Sequence, residues 1–267
     1  MNNDLELIYK ELFTETQAKN VFVFISGVEH IGTSWCALSL AHSLSLKKKK
    51  VLLVDGNGNL SNISSYMPLV SPLYMEEYIS GHKTLNQLIL AYKNINFNIL
   101  TATPGNNYLE KLQKGRIQIF IDDLRIIAKN YDYVIVDAGT DINEQNLAFC
   151  KMAHQLFVMC SEKSSDLVKT LDILQNIHKQ ELSGDCKLII NRVNSFEDGY
   201  KVYKELSKAL NRSDLKEIDL LGIVRFDTRI RDTIKNKELL LTRYPSSEAA
   251  VDICHMAEKL DLENNHE

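Results

Sequence analysis

Glycine is scarce in this chain: 11 of its 267 residues, about 4%, where usage near 7% is typical. The shortage matters because phosphate-binding loops are built from glycine, so any such loop here has few to draw on. Long apolar runs are absent as well; none comes near the roughly 18 residues that a membrane-spanning helix needs. The opening Met1-Asn2-Asn3-Asp4-Leu5-Glu6 lacks the basic and apolar regions of a signal peptide, so a cytoplasmic chain is expected. Cysteine pairs at metal-ligand spacing are missing too. Cys36, Cys150, Cys160, Cys186 and Cys254 are odd in number and widely scattered, which reads as reduced core thiols. There is no excess of positive charge: 31 Lys and Arg against 35 Asp and Glu give a net charge of −4. With a pI near 6.0, no nucleic-acid partner is expected. The remaining composition, 45% hydrophobic and 25% charged, excludes a collagen, a disordered tail and a disulfide-stapled miniprotein.

Short β-branched or aromatic apolar runs recur at residues 21–25, 51–54, 97–100, 133–136, 156–159, 187–190 and 220–224. Runs of this length bounded by polar residues read as buried strands. Between them lie helical spacings such as Ile117, Ile121, Leu124 and Ala128, or Leu167, Leu171, Leu174 and Ile177. Strands apolar on both faces and alternating with helices call for a parallel sheet covered on each side. The expected fold class is α/β, a three-layer α/β/α sandwich with a mostly parallel, twisted sheet of seven to eight strands. No Pro/Gly/Ser-rich stretch divides residues 18–260, which read as one domain. Ahead of it, residues 1–17 place Leu5, Ile8, Leu12 and Phe13 on one stripe of an amphipathic helix, expected to pack on its own domain or on a partner. Residues 261–267 form an acidic tail, and Lys47 to Lys50 read as a solvated helix C-terminus favoured by the helix dipole.

In open α/β sheets ligands bind where strands end, so the first strand-to-helix turn is the place to look. It runs Ser26-Gly27-Val28-Glu29-His30-Ile31-Gly32-Thr33-Ser34-Trp35. The phosphate-loop pattern is Gly, four residues, Gly, Lys, then Ser or Thr. Gly27, Gly32 and Ser34 match, while Thr33 stands at the lysine position. Asp55 closes the second strand and Asp137 the fourth; an acid so placed beside a phosphate loop holds Mg²⁺ or its water. Both read equally as strand-end carboxylates that only cap helices. Asn191, followed by Arg192, closes another strand with an amide suited either to a base edge or to a turn. His30 and Cys36 read as structural, and the scattered histidines show no ligand spacing. A dinucleotide enzyme is excluded because the G-x-G-x-x-G spacing is absent and no catalytic dyad follows.

Gly27 to Ser34, Val51 to Ile63, Tyr131 to Ala138, Asn191-Arg192, Gly199 to Leu206 and Tyr244-Pro245-Ser246-Ser247-Glu248-Ala249-Ala250 together resemble the MinD/ParA family of deviant Walker phosphate-loop ATPases, and within it the flagellar-number regulators called FlhG or FleN. The resemblance covers about residues 20–257. It implies an eight-stranded sheet, ATP or ADP at the loop (Gly27, Gly32, Thr33, Ser34, Asn191, Arg192), Mg²⁺ on Ser34, Asp55 and Asp137, and ATP-driven dimers that bind a membrane. It also implies partners in the flagellar or polar machinery: an FlhF-like GTPase, a transcription regulator or switch-complex proteins.

Against the family loop Gly-Lys-Gly-Gly-Val-Gly-Lys-Thr, this chain carries Val28 and Thr33 for the two lysines and Glu29 and His30 for two glycines. A threonine hydroxyl cannot supply a point charge to the phosphates, Val28 cannot reach a partner's phosphate, and Glu29 adds negative charge where an anion belongs. Asn57 replaces the family's second acid after strand two, and an amide is a poor handler of the attacking water. No catalytic residue is therefore assigned. MgATP or MgADP binding is expected to be weakened, with no cofactor at all as the equal alternative. The FlhG-type opening Asp-Gln-Ala is also missing, which leaves GTPase stimulation without its usual motif. The last helix, about residues 246–260, carries Glu248, Asp252 and Glu258 against the single Lys259, so it is not a direct membrane helix. The expectation is a non-hydrolysing regulator or scaffold, as a homodimer that does not depend on ATP, brought to the cell pole or inner membrane through partners. The alternative is a working MinD-type ATPase with an unusual loop.

Overall fold

In a computed structural model the chain is described for residues 19–57, 63–69, 72–92, 96–105, 114–180, 182, 185–213, 215 and 217–265. The stretch read as an N-terminal helix, residues 1–17, lies outside them. All seven apolar runs are strands: β1 Val21–Ser26, β2 Val51–Asp55, β4 Phe97–Leu100, β5 Tyr133–Thr140, β6 Gln155–Cys160, β7 Asp185–Val193 and β8 Asp219–Arg225. The eighth, β3 Leu90–Ala91, is only two residues long and has no run to announce it. The sheet order is β3-β4-β2-β5-β1-β6-β7-β8, with β3 antiparallel to β4 and every other pair parallel.

Successive side chains of a strand point to opposite faces. Val21, Val23 and Ile25 of β1 accordingly join one core, and Phe22 and Phe24 the other. The first core is covered by helices α2 Lys114–Ala128, α3 Glu144–Met152, α4 Ser164–Lys179 and α5 Phe196–Arg212. The second is covered by α1 Thr33–Leu46 and α7 Glu248–Asn264, with α6 Thr228–Asn236 partly packed on it. Helix α1 is buried almost all round, packed between the sheet and α7.

Two details differ from the sequence reading. The lysine run is not merely solvated: Lys47 pairs with Glu258 at 3.0 Å and Lys49 with Asp261 at 2.7 Å, fastening the turn after α1 to α7. The acidic tail begins later than residue 261, because α7 continues to Asn264; the Tyr133 hydroxyl donates to Asp261 Oδ1 at 2.7 Å and holds that last turn against β5. All five cysteines are free, and burial pushes the Cys36, Cys150 and Cys160 thiols up, away from the reactive thiolate.

Candidate functional site

The turn from β1 into α1 places two residues in the left-handed region. Gly32 sits at φ +103°, and His30 adopts the left-handed conformation at φ +58° that a glycine would take without strain. The cost for a residue with a Cβ is roughly 1–2 kcal/mol. Close packing accounts for the glycines that remain: a Cβ on Gly27 would lie 2.6 Å from the Lys169 carbonyl oxygen, and one on Gly32 2.6 Å from Asn191 Nδ2. Glu29 and His30 are exposed at the loop's tip. Thr33 is turned inward: its hydroxyl donates to Ser26 Oγ at 3.1 Å, and Ser26 Oγ donates to the Val28 carbonyl at 3.0 Å. This chain of two hydrogen bonds stitches the base of the loop from inside. No side chain caps the start of α1.

Asn191 is bound to the loop's backbone. Its Nδ2 donates to the Ile31 carbonyl at 2.8 Å, and its Oδ1 accepts the Arg192 N–H at 2.9 Å. Of the two sequence readings, this geometry favours the structural one, with the amide pinning β7 to the loop. Arg192 has φ +65° and an exposed side chain. It stands on the rim of a cavity of about 340 Å³ that is lined also by Trp35, Tyr66, Asn191, Phe226 and Arg231. Tyr66 and Arg231 gave no signal in the sequence, since neither lies in a motif and only the fold brings them to the loop.

Asp55 and Asp137 are paired in register on the adjacent strands β2 and β5, and both are fully buried. Asp55 Oδ1 accepts the Asn57 N–H at 3.3 Å, and Asp137 Oδ1 accepts the Gly139 N–H at 3.2 Å. Burial pushes the Asp137 carboxyl up to about 6; the Ser34 hydroxyl, the Gly139 N–H and the Asn57 side chain oppose that rise. Burial, then the charge of Asp137, raises Asp55 well above the usual carboxylate range. Asp137 Oδ2 is buried with no hydrogen-bond partner among the described residues. Asn57 packs on Gly139, where a Cβ would meet its Cγ at 2.8 Å. Ser34, Asp55 and Asp137 thus converge at the C-terminal end of the central strands. A hydroxyl, two carboxylates and a spare oxygen suit Mg²⁺ held together with phosphate and water. Among the described residues no cluster of three or more His, Cys, Asp or Glu is placed to hold a metal by itself.

The raised carboxyl makes a prediction. A folded pKa near 6 against about 3.9 unfolded means that the folded state takes up the proton first as pH falls. The penalty is therefore complete above pH 6, and it fades as pH drops towards 4. Asp137→Asn should stabilise the protein by about 2–3 kcal/mol at pH 7.5, and the gain should shrink by about half at pH 5. Thermal melts of variant and parent across that range check it; a gain independent of pH would show that desolvated charge is not the cause.

No family model matches the chain. Its sequence is 20% identical to the antiactivator FleN of Pseudomonas aeruginosa over 245 residues, 90% of this chain and 86% of that protein. It is 26% identical over 214 residues to the septum site-determining protein MinD of Neisseria meningitidis, 76% of this chain and 77% of that one. Among solved structures, the cell-division ATPase MinD of Pyrococcus furiosus superposes with a TM-score of 0.77 at 16% identity, covering 92% of this chain and 99% of that chain. The MinD of a MinC:MinD complex from Aquifex aeolicus gives 0.74 at 18% identity, covering 91% and 96%. The chain has the fold of the MinD/ParA ATPases and is similar in sequence to FleN and MinD. Val28 and Thr33, read from the sequence as standing at the two lysine positions, both carry uncharged side chains. Val28 is half-buried against the second core, and Thr33 is bound to Ser26. Among the described residues no helix is long and apolar enough to cross a membrane.

Proposed function

We propose that this chain is a MinD/ParA-type regulator that does not hydrolyse ATP and works through protein partners in flagellar number, flagellar placement or a related polar assembly. The observation that carries this reading is Thr33. At the position where the family's lysine contacts the phosphates, its hydroxyl is spent on Ser26 Oγ at 3.1 Å. Val28 and Glu29 remove a second cation and add an anion, and Asn57 offers an amide where hydrolysis uses a carboxylate. Similarity to an antiactivator supports a role exercised on other proteins, and similarity to a MinD solved with MinC supports a fold suited to protein partners. The partners fitting this reading are an FlhF-like GTPase, a transcription regulator or a switch-complex protein, with recruitment to the pole or inner membrane through them.

If a nucleotide binds, Ser34, Asp55 and Asp137 would hold its Mg²⁺, with Gly27, Gly32, Thr33, Asn191 and Arg192 around the nucleotide. The metal would supply charge to neutralise the phosphates. This chain's own contribution would be the N–H groups at the start of α1 and the wall formed by Arg192.

The test combines three measurements on the full chain with MgATP: titration with a fluorescent ATP analogue, phosphate release, and mass by light scattering. The expected result is no saturable binding in the micromolar range, no phosphate release and a mass unchanged by ATP. Phosphate release that is lost on Asp137→Ala, or an ATP-dependent shift from monomer to dimer, would overturn the proposal.

A further inference from the structure

The cavity beside the loop, about 340 Å³, is near the lower end of the range for ligand pockets, about 300–1,000 Å³, yet has room for one large inserted side chain. Its floor is apolar. Trp35 is only 5% exposed there, and Ile230 and Ile234, one turn apart on α6, pack with it on the second core. The rim carries Arg192 and Arg231, both exposed, and Phe226, which is 52% exposed. Apolar surface continues past the rim. The Arg225 guanidinium lies 4.5 Å from the centre of the Phe196 ring, and Phe196 and Tyr200, four residues apart on α5, both stand in water.

We propose that this cavity is the docking site of a partner protein: an acidic segment that inserts one large apolar side chain against Trp35 and sets its carboxylates on Arg192 and Arg231. The proposal rests on the reading that the chain acts through protein partners, and it names the chemistry of one of them. Charge selects this occupant. Neither Arg192 nor Arg231 is in an ion pair among the described residues, whereas Arg225 is spent on Asp252 and Glu248. Asp227, the acid in the wall, is held on backbone N–H groups at the starts of two helices: Oδ1 accepts from Arg229 of α6 at 2.9 Å, and Oδ2 from Ala249 of α7 at 3.5 Å. His30 lines the cavity, but the neighbouring Glu29 does not. The charge left open at the mouth is therefore positive.

The residue types point the same way. Trp, Tyr and Arg supply most of the binding energy at protein interfaces, typically as an anchor pocket inside a polar rim, and Trp35, Tyr66, Arg192 and Arg231 meet here. A nucleobase fits less well. Base edges are read by amides, and the Asn191 amide is already committed to the Ile31 carbonyl and the Arg192 N–H.

Selection from a displayed library of random twelve-residue peptides tests this on the full chain, with a variant carrying Arg192→Glu and Arg231→Glu as the counter-selecting surface. Both positions are exposed, so the variant should melt like the parent. The enriched peptides are expected to carry one large apolar residue flanked by Asp or Glu. A synthetic copy of one that lacks tryptophan should bind the parent about tenfold more tightly than a variant carrying Arg192→Gln and Arg231→Gln, the loss expected for two rim charges. It should also shift the emission of Trp35, the only tryptophan, and its Ala-substituted form should do neither. No enrichment, enrichment of basic or uncharged sequences, equal affinity for the Gln variant, or binding without a Trp35 response would overturn the proposal. So would a parent that is dimeric by light scattering and monomeric with Arg192→Glu and Arg231→Glu, because a second copy would then cover the face. Phosphate release from MgATP bears on hydrolysis alone, so the two readings fail separately.

Discussion

Combining Val28→Lys, Glu29→Gly, His30→Gly and Thr33→Lys is expected to raise MgATP affinity by at least two orders of magnitude. The size of the gain follows from the geometry of the loop. A hydrogen bond to a charged group is worth about 1.5–3 kcal/mol, so Thr33→Lys alone would recover roughly tenfold to a hundredfold, and removing Glu29 takes a repelling charge from the loop's tip. The backbone is already shaped to accept the change. Gly32 stands at φ +103°, and His30 occupies a left-handed conformation that glycine adopts without cost. Losing the Thr33 hydroxyl leaves Ser26 Oγ still donating to the Val28 carbonyl, so the loop's base keeps one of its two stitches. Trp35, the only tryptophan, lines the adjoining cavity, and its emission offers a label-free titration. A quadruple variant that melts like the parent and still shows no saturable response would mean that the defect extends beyond the loop, into the cavity wall formed by Tyr66, Phe226 and Arg231.

What could be read from sequence, and what could not, divides along sequence distance. Seven strands were legible because each is an apolar run of four or more residues, a property of neighbouring positions. Asp55 was legible as a strand-end acid for the same reason, whereas Asp137, expected to close its strand, lies three residues before the end of β5, which continues to Thr140. That they face each other in register, and that the charge of Asp137 so raises the proton affinity of Asp55, follows only from β2 pairing with β5. The competing readings of Asn191 could not be separated until Ile31, 160 positions away, proved to be the acceptor of its amide. The lysines after α1 look solvated until α7 brings Glu258 and Asp261 to them. The low glycine count was informative for the opposite reason: a loop's composition is local, and its missing glycines and lysines are visible without any fold.

The same long-range logic gives the largest expected loss of stability, in Arg225→Ala. Arg225 closes β8 at the rim of the cavity, and its guanidinium grips Asp252 of α7 with two bonds: Nη2 to Oδ1 at 2.8 Å and Nε to Oδ2 at 3.1 Å. A third arm reaches Glu248 at 2.8 Å, and the Phe196 ring lies 4.5 Å beneath the group. The Asp252 side chain is fully buried, so deleting its partner strands a carboxylate away from water. Breaking a buried pair in this way costs about 3–5 kcal/mol, a large part of a typical folding free energy. Asp252 would retain only the Arg225 backbone N–H, at 2.9 Å, as a donor from that strand. Asp252→Asn in the same background should return much of the loss, because a neutral amide is cheaper to bury than a lone charge. Urea unfolding of the parent, Arg225→Ala and the double variant measures both steps. If the single variant unfolds within about 1 kcal/mol of the parent, the range expected of a surface pair, then the exposed Glu248 contact rather than the buried Asp252 grip describes the pair.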